Sequence, residues 1–112
     1  MKNNEMKKSE PLILVEIIEY EPNSVVIKTI IRKTTGNVSV LSLDVGEELV
    51  EKISPFDSFA QIIDGKAEVI INAKSYLLDT GQSIIIPAHS THRITANERF
   101  KMILTVIKSG YE

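Results

Sequence analysis

The stretch VSVLSLDV, Val38–Val45, alternates apolar and polar residues, placing Leu41, Leu43 and Val45 on one face and Ser42 and Asp44 on the other. That period of two is the mark of a half-buried strand. Short runs rich in Val and Ile recur along the chain, at Leu12–Tyr20, Ser24–Arg32, Val38–Val45, Phe59–Ile63, Ala67–Ile71, Tyr76–Leu78, Ser83–Ile86, His92–Thr95 and Phe100–Ile107. Turn-forming clusters separate them: EPNS, TTGN, SPFD, DGK, NAK, DTG, PAHS and ANE. The pattern predicts nine strands in an antiparallel sandwich or barrel. Asp64-Gly65 predicts a hairpin, because a type I′ turn needs positive φ at both central residues. The run Ser83–Ile86 is apolar after its first residue and reads as a strand covered on both sides, as between sheets or subunits. LILVEIIEYE is open to two readings: its spacing permits a helix, while Pro11 and the β-branched residues favour a strand. Residues 1–11 are polar and aperiodic and read as a flexible N-terminal lead-in; residues 12–112 read as one domain.

Composition narrows the picture. The 112 residues suit one domain with a real core, and 43% hydrophobic with 25% charged residues is a globular balance. A net charge of −2 supplies no global basic field, so neither nucleic acid nor a membrane surface is an expected partner. The absence of cysteine removes disulfides, thiolate metal sites and cysteine nucleophiles. With no apolar run of about 20 residues and no signal-like start, the expected location is the cytoplasm.

The stretch GQSIIIPAHSTHRI, residues 81–94, holds both histidines of the chain. Gly81, Pro87 and His92 stand at the spacing glycine, five residues, proline, then histidine five positions on; Gly46 and Gly65 lie nineteen positions apart. With these two frames, the chain from Val45 to Ile107 resembles a small single-domain cupin of the conserved-barrel, stand-alone type. The resemblance implies an all-β fold, a double-stranded β-helix or jelly-roll barrel of antiparallel strands.

The resemblance also implies a site. Metal-binding cupins take two histidines and a glutamate from the first motif and one histidine from the second, leaving open positions on Fe, Mn, Ni or Zn. In this sequence the first-motif positions fall on Lys52, Ser54 and Ser58, and only His92 keeps its residue. A hydroxyl is a weak neutral ligand. Two unit charges about 4 Å apart repel by roughly 4 kcal/mol at an effective dielectric near 20, and a lysine facing a dication costs about twice that. No bound cofactor is therefore expected. His89 would face away from His92 in a strand and reads as an exposed turn residue at the barrel mouth. The expected function is binding of a small molecule, with Lys52 suited to an anionic group, in a pocket lined by Lys52, Ser54, Ser58, His92 and, on the closing strand, Met102. The alternative is a metal-dependent enzyme, an oxygenase or isomerase, using His92 with His89 or a non-standard set. Asp57, in a turn, reads as a cap of backbone amides. A homodimer through the apolar strands is the expected assembly.

Overall fold

The computed structural model describes residues 5–51 and 53–108, and every regular element among them is a strand. In chain order these are β1 (Val25–Lys33), β2 (Gly36–Leu43), β3 (Glu48–Glu51), β4 (Asp57–Ile71), β5 (Lys74–Asp79), β6 (Ser83–Ile86), β7 (His92–Thr95) and β8 (Phe100–Ile107). All pairings are antiparallel. One half of the barrel runs β1-β2-β8-β4-β6 and the other β5-β4-β7-β3, so β4 belongs to both.

Two of the predicted strands, Phe59–Ile63 and Ala67–Ile71, are thus one strand, and Asp64-Gly65 is not a hairpin. The β4–β8 register shifts between Ile62 and Asp64, and Gly65 (φ +83°) stays in the ladder opposite Phe100. The positive φ that suggested a turn serves a bulge instead, which bends the strand without ending it. Geometry requires that bend. Straight, the 15 residues of β4 would run about 50 Å, beyond the molecule's longest extent of 39 Å. Moreover, Ser58 pairs with Ile86 and Ile71 with His92, and the connection from Ile86 to His92 reaches at most about 21 Å. The two ends of β4 therefore come back to one mouth. The hairpin forms later, at Asn72-Ala73, where both residues have positive φ (48° and 70°).

Directly paired antiparallel residues share a face. Leu41, Met102 and Ile62 form one such inward row, all but inaccessible to solvent; Val69 and Ile94 form another from the opposite half. With Leu43, Phe100, Ala60 and Ile86 they make the main core. Full burial of each large side chain contributes about 1.5–3 kcal/mol.

The segment Leu12–Tyr20 is neither strand nor helix. It makes a single turn, Glu16 and Ile17 both donating N–H to Ile13 O, and lies across the outer face of the five-stranded half. Ile18, fully buried, packs there on Val40 and Ile103, with Leu14 and Ile17 beside it. A sheet face offers no ladder, so side chains satisfy the segment's carbonyls: Lys28 Nζ donates to Ile17 O (2.8 Å), Lys101 Nζ to Val15 O (2.6 Å) and Ser42 Oγ to Glu19 O (2.9 Å). Tyr20 OH donates to Asp64 Oδ2 at 2.6 Å, and Arg99 lies over its ring. Closer to the start, Met6 N–H donates to Ile30 O and Arg32 N–H to Glu5 Oε2.

Two further expectations are corrected. Glu48–Glu51, not among the predicted strands, forms β3 by pairing with β7. Ser83–Ile86 is not covered on both sides within the chain: Ile86 is buried, but Ile85 is 64% exposed. Among the described residues no helix is long and apolar enough to cross a membrane.

Candidate functional site at the barrel mouth

Along β7 burial alternates, with His92 and Ile94 buried and Arg93 and Thr95 more accessible, so the His92 imidazole points into the barrel. His92 opens the strand, between Glu51 of β3 and Ile71 of β4 in the ladder. It is 8% exposed and its Nδ1 is shut off from solvent.

The connection Pro87–Thr91 crosses the mouth from β6 to β7. Pro87 removes a ladder donor and ends β6. Ala88 N–H donates to Asp57 Oδ1 at 2.7 Å, the amide-capping role expected of Asp57. His89 N–H donates to Ser54 O at 2.7 Å, which ties the connection to the loop after β3. Buried Ser90 turns its hydroxyl back to Pro87 O at 2.6 Å. Thr91 N–H donates to Asn72 Oδ1, and Asn72 N–H to Thr91 O, linking the connection to the β4–β5 hairpin. His89 adopts φ +64° and is exposed, as a turn residue is.

The other sequence-derived site residues distribute as follows. Ser58 is half-buried on the inner face of β4, opposite Ile86 and Val106. Ser54 is half-buried in the loop before β4, its Oγ accepting Phe56 N–H at 3.2 Å. Met102 lies deeper, fully buried between Leu41 and Ile62 in the main core. Lys52 lies outside the described residues.

Asn37 and Ser39 of β2 were not singled out from the sequence. Their ladders, Asn37–Val106–Ser58 and Ser39–Leu104–Ala60, place them on the inner face toward the mouth. The signal was available: they continue the alternation that turns Leu41 and Leu43 inward. Val45, grouped with those leucines, lies instead beyond the end of β2, 58% exposed.

The donors at hand do not fit a first-row dication. Ser54 and Ser58 offer hydroxyls where ligands would stand, and no three His, Cys, Asp or Glu residues gather into a possible ion site among the described residues. Neutral hydroxyls do not replace the imidazoles and carboxylate that such an ion needs. The mouth instead carries one imidazole and the hydroxyls of Ser54 and Ser58 above the apolar core of Leu41, Ile62 and Met102. A cleft of about 380 Å³ borders the site on its outer side, lined by Val50, Ile70 and Arg93, which form a row facing away from the barrel interior, together with Ala73, Thr91 and His92 itself.

Comparison with known proteins agrees with this geometry. A cupin domain model matches residues 39–108. A conserved protein of unknown function from Streptococcus pyogenes superposes with TM-score 0.89 at 31% identity, the match covering 96% of this chain and 94% of that one. A cupin superfamily protein from Desulfitobacterium hafniense gives TM-score 0.86 at 25% identity, over 96% and 97% of the two chains. A cupin 2 conserved barrel domain protein from Leptotrichia buccalis gives TM-score 0.81 at 28% identity, over 84% of this chain and 46% of that one. No curated protein matches. With the family model spanning well over half the residues and the barrel and its motif glycines in place, the chain belongs to the cupin family.

Proposed function

We propose that this cupin binds a small organic anion at the barrel mouth, with His92, Ser54, Ser58 and Lys52 as polar contacts and the apolar floor near Met102 beneath. The observation that carries this reading is the inward, buried His92 at a mouth edged by Ser54 and Ser58. Burying a polar ring costs free energy unless its nitrogens are hydrogen-bonded. Its place at a mouth edged by Ser58, Ser54 and the Pro87–Thr91 connection supports recognition.

Thermal-shift titration at pH 7 with small carboxylates and sugars tests it. A binder at 100 times its dissociation constant stabilises the fold by about 2.7 kcal/mol. His92→Ala should abolish that shift without lowering the unliganded Tm by more than a few degrees. A complete panel without any shift refutes the reading. Elemental analysis of untagged protein addresses metal-dependent catalysis: a metal-to-chain ratio near one refutes the assignment of the mouth to an organic ligand alone.

We infer further that two copies pair through the outer face of the five-stranded half. There Phe59, Ile85, Thr105 and Ile107 line an apolar cleft of about 320 Å³, and Ile85 and Ile107 are 64% and 51% exposed. Among the described residues β6 pairs with β4 alone. Its other edge suits a second copy of itself, because an antiparallel strand pair satisfies two-fold symmetry. Sedimentation at micromolar concentration should give a dimer that Ile85→Lys dissociates; a clean monomer of the parent protein overturns it.

A further inference from the structure

Thr29 and Arg32 are three residues apart on β1, and in an unbroken strand they would face opposite sides. The β1–β2 register is broken between them: Thr29 stands opposite Ser39 and Ile31 opposite Val38, leaving Ile30 unmatched. Such a bulge re-aims the side chains beyond it. Arg32 comes onto the face of Thr29, and its Nη2 donates to Thr29 Oγ1 at 3.2 Å. That face is the inner one, since Arg32 pairs with Asn37, which continues to Val106 and Ser58, while Thr29 pairs with Ser39, which continues to Leu104 of the core periphery.

Arg32 is nonetheless exposed. β1 is the outermost strand of its half, and the opposite half does not cover it. Ile27, on the same face and paired with buried Leu41, is 56% exposed. The Glu5 carboxylate takes the backbone N–H of Arg32 at 2.6 Å, placing Glu5 along the strand edge. The guanidinium thus commits one N–H to Thr29, on the face that also carries Asn37, Ser39 and Ser58.

We propose that Arg32 is the carboxylate-binding residue of the mouth and that the ligand is a small polyhydroxy carboxylate. The inference rests on the small-molecule reading above and names the ligand class and a recognition residue. A guanidinium fork matches a carboxylate with two parallel hydrogen bonds. Asn37, Ser39 and Ser58 then meet the hydroxyls of the same molecule. Arg32 and Ser58 are separated by three inter-strand spacings, about 14 Å between Cα atoms, the length of a six-carbon sugar acid plus the reach of the arginine.

Calorimetric titration of the full chain with D-gluconate, D-sorbitol, succinate and D-glucose tests the assignment. The parent protein should bind gluconate at least tenfold more tightly than neutral sorbitol. Arg32→Gln should remove that preference and leave sorbitol binding unchanged, and Arg32→Lys, which keeps the charge without the fork, should fall between. Circular dichroism confirms that each variant is folded; the exposed side chain makes this the expected result. Gluconate binding unchanged in Arg32→Gln overturns the role of Arg32, and if His92→Ala abolishes binding meanwhile, the broader reading stands alone. Uptake of succinate or glucose without gluconate overturns the polyhydroxy-carboxylate class while sparing the mouth as a binding site. Binding of none of the four overturns this inference.

Discussion

Replacing Gly65 tests the bend in β4 directly. At φ +83° any L-residue is strained, and a Cβ built there meets Arg99 O and, at 2.9 Å, Phe100 Cα. Both are backbone atoms, which no rotamer change can move away. Gly46 is the internal control, with a similar φ of +88° and nothing within 4 Å of a built Cβ. Alanine at either position incurs about 1–2 kcal/mol for the left-handed backbone. Reduced freedom of the unfolded chain offsets about 0.4–1 kcal/mol of this, so Gly46→Ala should cost at most about 1.5 kcal/mol. At Gly65 the β8 backbone must also retreat. That loosens a ladder hydrogen bond, worth about 1 kcal/mol, and opens space beside fully buried Phe100, which adds about 1–3 kcal/mol. Gly65→Ala should therefore be about 2–4 kcal/mol less stable than Gly46→Ala, as measured by urea unfolding followed by far-UV circular dichroism with unchanged m-value. Gly65→Asn sharpens the test. Asparagine tolerates the left-handed region and would be nearly neutral in a hairpin turn, whereas in the bulge its Cβ makes the same clash. Equal midpoints for Gly65→Ala and Gly46→Ala, or a neutral Gly65→Asn, would refute the reasoning.

Ile18→Ala should cost about 2–4 kcal/mol, since Ile18 is fully buried in the outer cluster, and limited proteolysis should then cut within residues 12–20 before the barrel. Burial raises the Tyr20 pKa, aided by the hydrogen bond to Asp64 and its negative charge and opposed by Arg99. The folded chain then holds this proton above pH 10, where the unfolded phenol begins to lose it, so the contribution is complete below pH 10 and fades as pH rises further. The stability advantage of the parent over Tyr20→Phe should shrink above pH 10; an advantage constant to pH 11.5 would contradict this. Asp57→Ala leaves the Ala88 amide without the Asp57 carboxylate, at a cost of about 1 kcal/mol, and Ala88 should exchange its amide hydrogen at least fivefold faster.

Much of the barrel was legible because its determinants are local. Alternation set Leu41 and Leu43 inward, Pro87 ended β6, and the Gly81–Pro87–His92 frame located the connection on which His89 sits in the left-handed turn conformation. What escaped the sequence reading depends on partners distant in the chain. Asp64-Gly65 has turn chemistry, and only the neighbouring β8 backbone shows that it is a bulge. Glu48–Glu51 has two apolar residues in four, and pairing with β7 makes it a strand. LILVEIIEYE finds a sheet face rather than an edge, so its backbone takes side-chain partners. Within the candidate site, His92 was legible from motif spacing, whereas the turning of Arg32 onto the inner face of β1 was not. Ile30 sits in the β-branched run VVIKTII, where nothing in composition marks which residue will be left unmatched.

The return of β4 on itself also governs the aperture of the barrel. Its two ends, at Ser58 and Ile71, carry partners on opposite lips of the mouth, Ile86 and His92. The lips are thus two arms of one spring whose pivot is the bulge at Ile62–Gly65, while the Pro87–Thr91 connection is a tether between their tips. Widening the mouth would have to open that pivot against the β8 backbone, so the width of one end of the barrel is fixed by the backbone at its other end.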